Sequence, residues 1–142
     1  MSKREEVLQA LFQKLSSLTG VIVKRNEMLP QKIPREGIVI LRDGNVGEPE
    51  VLLSPACYIF THQAEVEVLV QRELTSDADA NLDEILEQIG HLIKQDPTLN
   101  GQVDYMHADP PEFIEHPIDG GITIRAAVVP IVLEYLSETP LI

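Results

Sequence analysis

The sequence predicts an α+β fold: an antiparallel or mixed β-sheet with two amphipathic helices packed on one face and a long projecting strand or hairpin. Three observations carry this. Ser2 with Glu5 three residues later forms a capping box, and Val7, Leu8, Leu11, Phe12, Leu15 and Leu18 then recur at helical spacing. Leu82, Ile85, Leu86, Ile89, Leu92 and Ile93 mark a second helix. Its acidic Asp83, Glu84 and Glu87 lie towards the start and Lys94 near the end, as the helix dipole favours. Between the helices, residues 58–71 alternate: even positions are almost all apolar or aromatic, and odd ones carry Thr, Gln and Glu. A period of two marks a strand with one face on a core and the other in water. Strands usually run about 5–6 residues. A run more than twice that length must bend, project beyond its core or pair with a neighbouring molecule.

The remaining elements follow in order. Gly20 stops the first helix, and residues 21–26 form a β-branched strand. Residues 27–36 contain Pro30 and Pro34, which favours an irregular connection to a second strand at 37–42. Residues 43–50 read as a polar turn into a short strand at 51–53, together a β-hairpin with a polar tip. Ser54-Pro55 breaks the pattern before the long strand, which starts at Cys57. Residues 75–80 suit the cap of the second helix, and Pro97 and Gly101 end it. Residues 103–107 make another strand, interrupted by Asp109-Pro110-Pro111. In the last strand, 122–135, apolar residues hold even positions before Pro130 and odd ones after it. That switch predicts a β-bulge or bend at the proline. The expected order is helix, three or four antiparallel strands, helix, two strands.

At 142 residues the chain fits one domain, 1–142, and its 44% hydrophobic and 24% charged content is that of a globular protein. With no Trp, the core must be built from Leu, Ile, Val and Ala. The net charge of −12 argues against gripping phosphate or anionic lipid and tolerates DNA only as something to be passed along. The single cysteine excludes an internal disulfide and fits a reducing compartment; at the start of an apolar strand, Cys57 reads as a small buried hydrophobe. The N-terminal residues lack a signal-peptide pattern, and no apolar run approaches the ~20 residues that span a bilayer. A cytoplasmic location is expected.

Candidate chemistry centres on Asp104, His107, Asp109, Glu112, Glu115 and His116, which are residue types suited to zinc or iron. The segment lacks the leading His of H-x-x-E-H, and Pro110-Pro111 opposes a helix, so it reads as an acidic, solvated loop. His62, on the apolar parity of the long strand, reads as a hydrogen-bonded core or interface histidine, and His91 likewise. No G-x-S-x-G surrounds any serine. Gly44-Asn45-Val46-Gly47 has no following Lys-Ser/Thr and reads as a hairpin tip, with Gly120-Gly121 leading into a strand. No catalytic residue, cofactor, cofactor-binding residue or metal ligand is assigned, and an enzyme is not expected.

Whole segments resemble the tail terminator (tail completion) proteins of long-tailed bacteriophages and related prophages, the lambda minor-tail-protein-U type. They are Ser2-Lys3-Arg4-Glu5-Glu6-Val7-Leu8-Gln9-Ala10-Leu11, Val23-Lys24-Arg25-Asn26-Glu27 and Gly37-Ile38-Val39-Ile40-Leu41-Arg42-Asp43-Gly44. Gly47-Glu48-Pro49-Glu50-Val51, Leu53-Ser54-Pro55, His62-Gln63-Ala64-Glu65-Val66-Glu67-Val68 and Ala126-Ala127-Val128-Val129-Pro130-Ile131-Val132 continue it across nearly the whole chain. The resemblance implies a homo-oligomeric, hexameric ring on the end of the tail tube. The ring stops tube polymerisation and offers a surface to the head-completion (neck) protein, and DNA passes its lumen without specific binding. It also implies no membrane partner, and residence in the host cytoplasm during assembly and then in the virion tail. Asp43, Gly44, Asn45, Val46, Gly47 and Glu48 become candidates for a contact loop, and His62, Glu65 and Glu67 for an interface. The alternatives are another neck or tail-tube component, such as a head-completion protein, or a small acyl-transfer or metal-dependent enzyme using residues 107–116.

Overall fold

Ser2 caps the first helix as its sequence predicts, its side-chain oxygen accepting the Glu5 N–H at 3.1 Å. The box stays half open, because the Glu5 carboxylate takes Arg25 and Gln9 as partners instead. The computed structural model describes residues 1–28, 33–72, 78–117 and 123–142, apart from the side chains of Arg72, His116 and Pro117. Pro30, Gly120-Gly121, Ile122 and residues 75–77 of the expected cap at 75–80 lie outside the described residues.

Helices α1 (Lys3–Leu15) and α2 (Ala78–Gln95) flank strands β1 (Ile22–Arg25), β2 (Ile38–Asn45), β3 (Glu50–Leu53) and β4 (Ala56–Arg72). Strands β5 (Tyr105–Ala108), β6 (Glu112–Pro117) and β7 (Thr123–Ser137) follow. The sheet runs β1-β2-β4-β7-β5, with β3 on β4 and β6 on β7. It is mixed, because β1 pairs parallel with β2 while the other pairs are antiparallel. The α+β class with two helices therefore holds, whereas the antiparallel reading of the first two strands is corrected.

Both helices lie on one face. Val7, Leu8, Leu11 and Leu15 of α1 and Leu82, Ile85, Ile89 and Ile93 of α2 enclose one core with Phe60, Ala64, Val66, Val68 and Val70 of β4. Those even positions of β4 are the parity expected from sequence. Each aliphatic side chain so buried contributes about 1.5–3 kcal/mol. Removing the Ser2 cap with Ser2→Ala is expected to lower stability by about 1 kcal/mol, read by urea unfolding. At their far ends, Lys14 Nζ and Asp96 Oδ2 meet at 3.0 Å and tie the helices together. The backbone N–H of Asn100 and then Lys14 hold the Asp96 carboxyl below its ordinary pKa.

Pro130 does not bend its own strand. β7 keeps an unbroken register with β4 from Tyr58↔Ser137 to Arg72↔Thr123. The parity change has a different cause. Ala127, Val129, Ile131, Leu133 and Tyr135 face the helices, while Ile124 and Ala126 join Ile33, Ile38, Ile40 and Leu69 in a small second cluster on the opposite face. The irregularity sits in the neighbouring strand. Ala108 pairs with Ile131 and Glu112 with Val128, so residues 109–111 oppose only 129–130. The Asp109 N–H donates to the Pro130 carbonyl at 2.9 Å. A residue's N and carbonyl point to the same side of a strand. The missing N–H of Pro130 therefore faces the break between β5 and β6, where no ladder bond is lost. Beyond that break, Glu112–Pro117 is strand rather than the solvated loop expected, since β7 supplies its partner.

Candidate functional site

The segment expected as a hairpin tip is built differently. Asp43, Gly44 and Asn45 end β2, and both β2 and β3 pair antiparallel with one edge of β4, against residues 63–69 and 56–59 respectively. Residues 46–49 link two strands laid end to end, so this segment is no hairpin. Val46 packs on the core, while Gly47 and Glu48 are exposed. Arg42 faces Glu65 and Asn45 faces Gln63, so β2 carries one residue more than β4 across this stretch, a β-bulge. Gly44 sits there at φ +69°, and a Cβ on it would lie 2.1 Å from the Gln63 carbonyl oxygen.

The bulge aims the Asp43 carbonyl inward at His62. His62 is fully buried, with Nε2 2.6 Å from the Asp43 oxygen and Nδ1 2.9 Å from the Tyr135 hydroxyl. A carbonyl oxygen only accepts, so Nε2 carries a hydrogen. Burial pushes the ring's pKa below 6.5, so at neutral pH the ring is uncharged and Nδ1 accepts from the Tyr135 hydroxyl. Burial also pushes Tyr135 up to about 12. His62 is thus a satisfied core histidine, and with no exposed surface it is corrected as an interface residue.

Above this pair, Arg25 of β1 reaches the Glu5 carboxylate at 2.8 Å and Asp43 Oδ1 at 3.0 Å, binding α1, β1 and β2 together. The Arg25 hydrogen bond holds Glu5 below its ordinary pKa, and Glu5 and Asp43 raise Arg25. Asn26 adds two bonds to Asp43, one to the carboxylate at 3.1 Å and one from its N–H at 3.2 Å. This cluster is a structural clamp, and its conformational key, Asn26 at φ 52°, carries no sequence pattern that pairing rules would find.

Glu65 and Glu67 lie on the sheet face away from the helices, both half-buried, and Glu67 accepts from Arg42 Nε at 3.0 Å. On the same face His107 stands 3.4 Å from Asp109 and stacks loosely on Tyr105. His91 is exposed on α2 and 3.5 Å from Glu87, which corrects the core half of its expected core-or-interface placement. Among the described residues no three His, Cys, Asp or Glu side chains gather as metal ligands, and the His116 side chain lies outside them. No helix among the described residues is long and apolar enough to cross a membrane.

No family model and no curated protein matches this chain. The most unusual surface is the β3–β4 hairpin. Register runs from Glu50↔Ile59 to Leu53↔Ala56, leaving Ser54-Pro55, joined by a cis peptide bond, as a two-residue turn. The last β7 partner on β4 is Ser137 opposite Tyr58, so the hairpin end projects past the sheet. Val51, Leu52 and Leu53 are 46%, 44% and 82% exposed there. Cys57 is half-buried beside them, correcting its expected place in the core. Three consecutive apolar residues before Ser-Pro, without alternation, were the sequence signal for this tip.

Proposed function

We propose that this chain is a structural virion protein of the tail terminator type. It caps the phage tail tube as a ring of identical copies, acts through its surfaces rather than by catalysis, and presents the joining surface to the neck. The observation that carries the reading is the projecting β3–β4 hairpin with its exposed Val51, Leu52 and Leu53. Apolar strand edges of this kind are aggregation hazards in a free protein and are useful where another subunit covers them. The net charge of −12 suits a ring through which DNA moves without being held. Its partners in this reading are further copies of itself, the tail-tube protein and the head-completion protein. The chain works in the host cytoplasm during assembly and then at the tail end of the virion.

The test is tube length. Purified chain is added to polymerising tail-tube protein and the tubes are measured by electron microscopy. Capped tubes that stop growing are the expected result, and tubes that grow unchanged would sink the proposal.

A further inference from the structure

Among the described residues the outermost strand on one side of the sheet is β1, which pairs only with β2, and in the outermost column of the other side β6 pairs only with β7. The two strands share rows. Traced through β2, β4 and β7, Ile22, Val23 and Lys24 of β1 stand level with Ile114, Phe113 and Glu112 of β6. Both edges hold unspent backbone groups. Ile22 and Asn26 donate their N–H groups inward to Gly37 and Leu41, so strand alternation turns the groups of Val23 and Arg25 outward. On the other side the Pro130 carbonyl accepts from Asp109, so Val128 and Ala126 of β7 also turn towards β6. Their partners Glu112 and Ile114 turn inward, which leaves the groups of Phe113 and Glu115 facing out. Both edges are also partly apolar, with Ile22 and Phe113 41% and 50% exposed.

We infer that β6 of one copy pairs antiparallel with β1 of a second copy of this chain, Phe113 opposite Val23, so that the sheet continues from subunit to subunit. Direction, register, faces and charge agree. β1 runs with β2 and β7, while β6 runs against β7. A second copy set alongside, with its helices on the same face, therefore brings its β1 antiparallel to β6. Without any stagger, the outward groups of Phe113 and Val23 meet as a hydrogen-bonded pair. Val23 and Phe113 lie on the helix face, while Ile22 meets Ile114 and Lys24 meets Glu112 on the opposite face. Lys24 and Glu112 are exposed and make no ion pair among the described residues, so each supplies the other's missing charge. Pairing β6 with β6 would instead crowd Glu112 and Glu115 of two copies, which like-charge repulsion opposes. β3 lies in the column of β2, one strand inside β1, so the apolar hairpin stays clear of the contact. Such a contact is strand addition at an exposed edge. It joins two different surfaces, so it repeats head to tail and ends only when a ring closes. The inference rests on the ring proposed above and supplies its contact.

Two cross-links test it. Lys24 and Glu112 stand at opposite edges of one copy, so an amide formed between them by a carbodiimide joins two copies. Peptide mass spectrometry of the wild-type chain, treated at rising concentration and again on tubes, is expected to find that link. Separately, one chain carries Ile22→Cys and another Ile114→Cys, both in a Cys57→Ser background. The two positions would face each other as a non-hydrogen-bonded pair with Cα atoms about 4.5 Å apart, within disulfide reach. A mild oxidant should give a disulfide dimer from the mixture and not from either chain alone. Lys24→Glu on the first chain should cut its yield about threefold or more, and Glu112→Lys on the second should restore it, with thermal unfolding of each chain unchanged. Absence of both links in both settings, or a dimer indifferent to the charge reversal, overturns the inference. If tubes stop growing and neither link forms on them, the terminator function stands without this contact. If the links form but wild-type chain fails to stop tubes, the contact stands and the function falls.

Discussion

Gly44→Ala is expected to destabilise the chain by roughly 2–5 kcal/mol, combining about 1–2 for a left-handed non-glycine residue with about 1–3 for overpacking. The overpacking is against backbone, since the new Cβ would lie 2.1 Å from the Gln63 oxygen and 2.9 Å from the Ala64 Cα. Neither atom can swing aside as a side-chain end would. Relief requires β2 to move off β4, which withdraws the Asp43 carbonyl from His62 and disturbs the Arg25 clamp on the same residue. Gly20→Ala is the control: Gly20 has φ +77° but open space around its Cβ position, so only the conformational part should be lost. Urea unfolding of the two variants measures the difference. Equal losses would show that the close approach at the bulge is not what requires glycine.

Stability is expected to fall as pH is lowered from 6.5, by about 1.4 kcal/mol per pH unit for the single proton involved. The sign follows from His62. Its folded pKa is depressed below 6.5, chiefly by burial, so the unfolded chain binds the proton first. The stability is full above 6.5 and is lost progressively down to the folded value, below which the slope vanishes. The groups facing the ring are the Tyr135 hydroxyl from β7, Asp43 from β2 and the Arg4 charge from α1, which opposes protonation. A proton on Nδ1 would turn that atom from acceptor to donor and force the Tyr135 hydroxyl to give up the bond it donates. Glu5 acts in a separate range, because its pKa is lowered from 4.5 and its contribution is lost only in stronger acid. Unfolding by urea at pH 7.5 and 5.5 reads the effect. His62→Gln should abolish the slope, and a slope that survives the substitution would assign it to another group.

The candidate surfaces divide in the same way as the fold. His62 was legible as a hydrogen-bonded residue because it held an even, apolar position in a clear alternation. Its partners were not legible, since Asp43 is 19 residues away and Tyr135 is 73. Residues 43–50 have the composition of a turn, yet Gly44 serves a bulge inside a strand. Polar, glycine-containing sequence is common to both, and only the position of β4 distinguishes them. Glu112–Pro117 was misread for a related reason: an acidic, proline-flanked segment becomes a strand once β7 offers it an edge.

What the sequence by itself determined was local: both helices, the α1 cap, the long strand and the face each buries. These depend on the 3.6- and 2-residue periods and on backbone bonds within a few residues, which a single chain segment carries whole. Only the tertiary structure decided that β1 runs parallel to β2, that β2 and β3 share one edge of β4, and that the break opposite Pro130 falls between β5 and β6. It also decided that the apolar end of the hairpin projects while His62 is enclosed. Those outcomes depend on which distant strand supplies the hydrogen-bond partners, and pairing between strands far apart in sequence leaves no period along the chain.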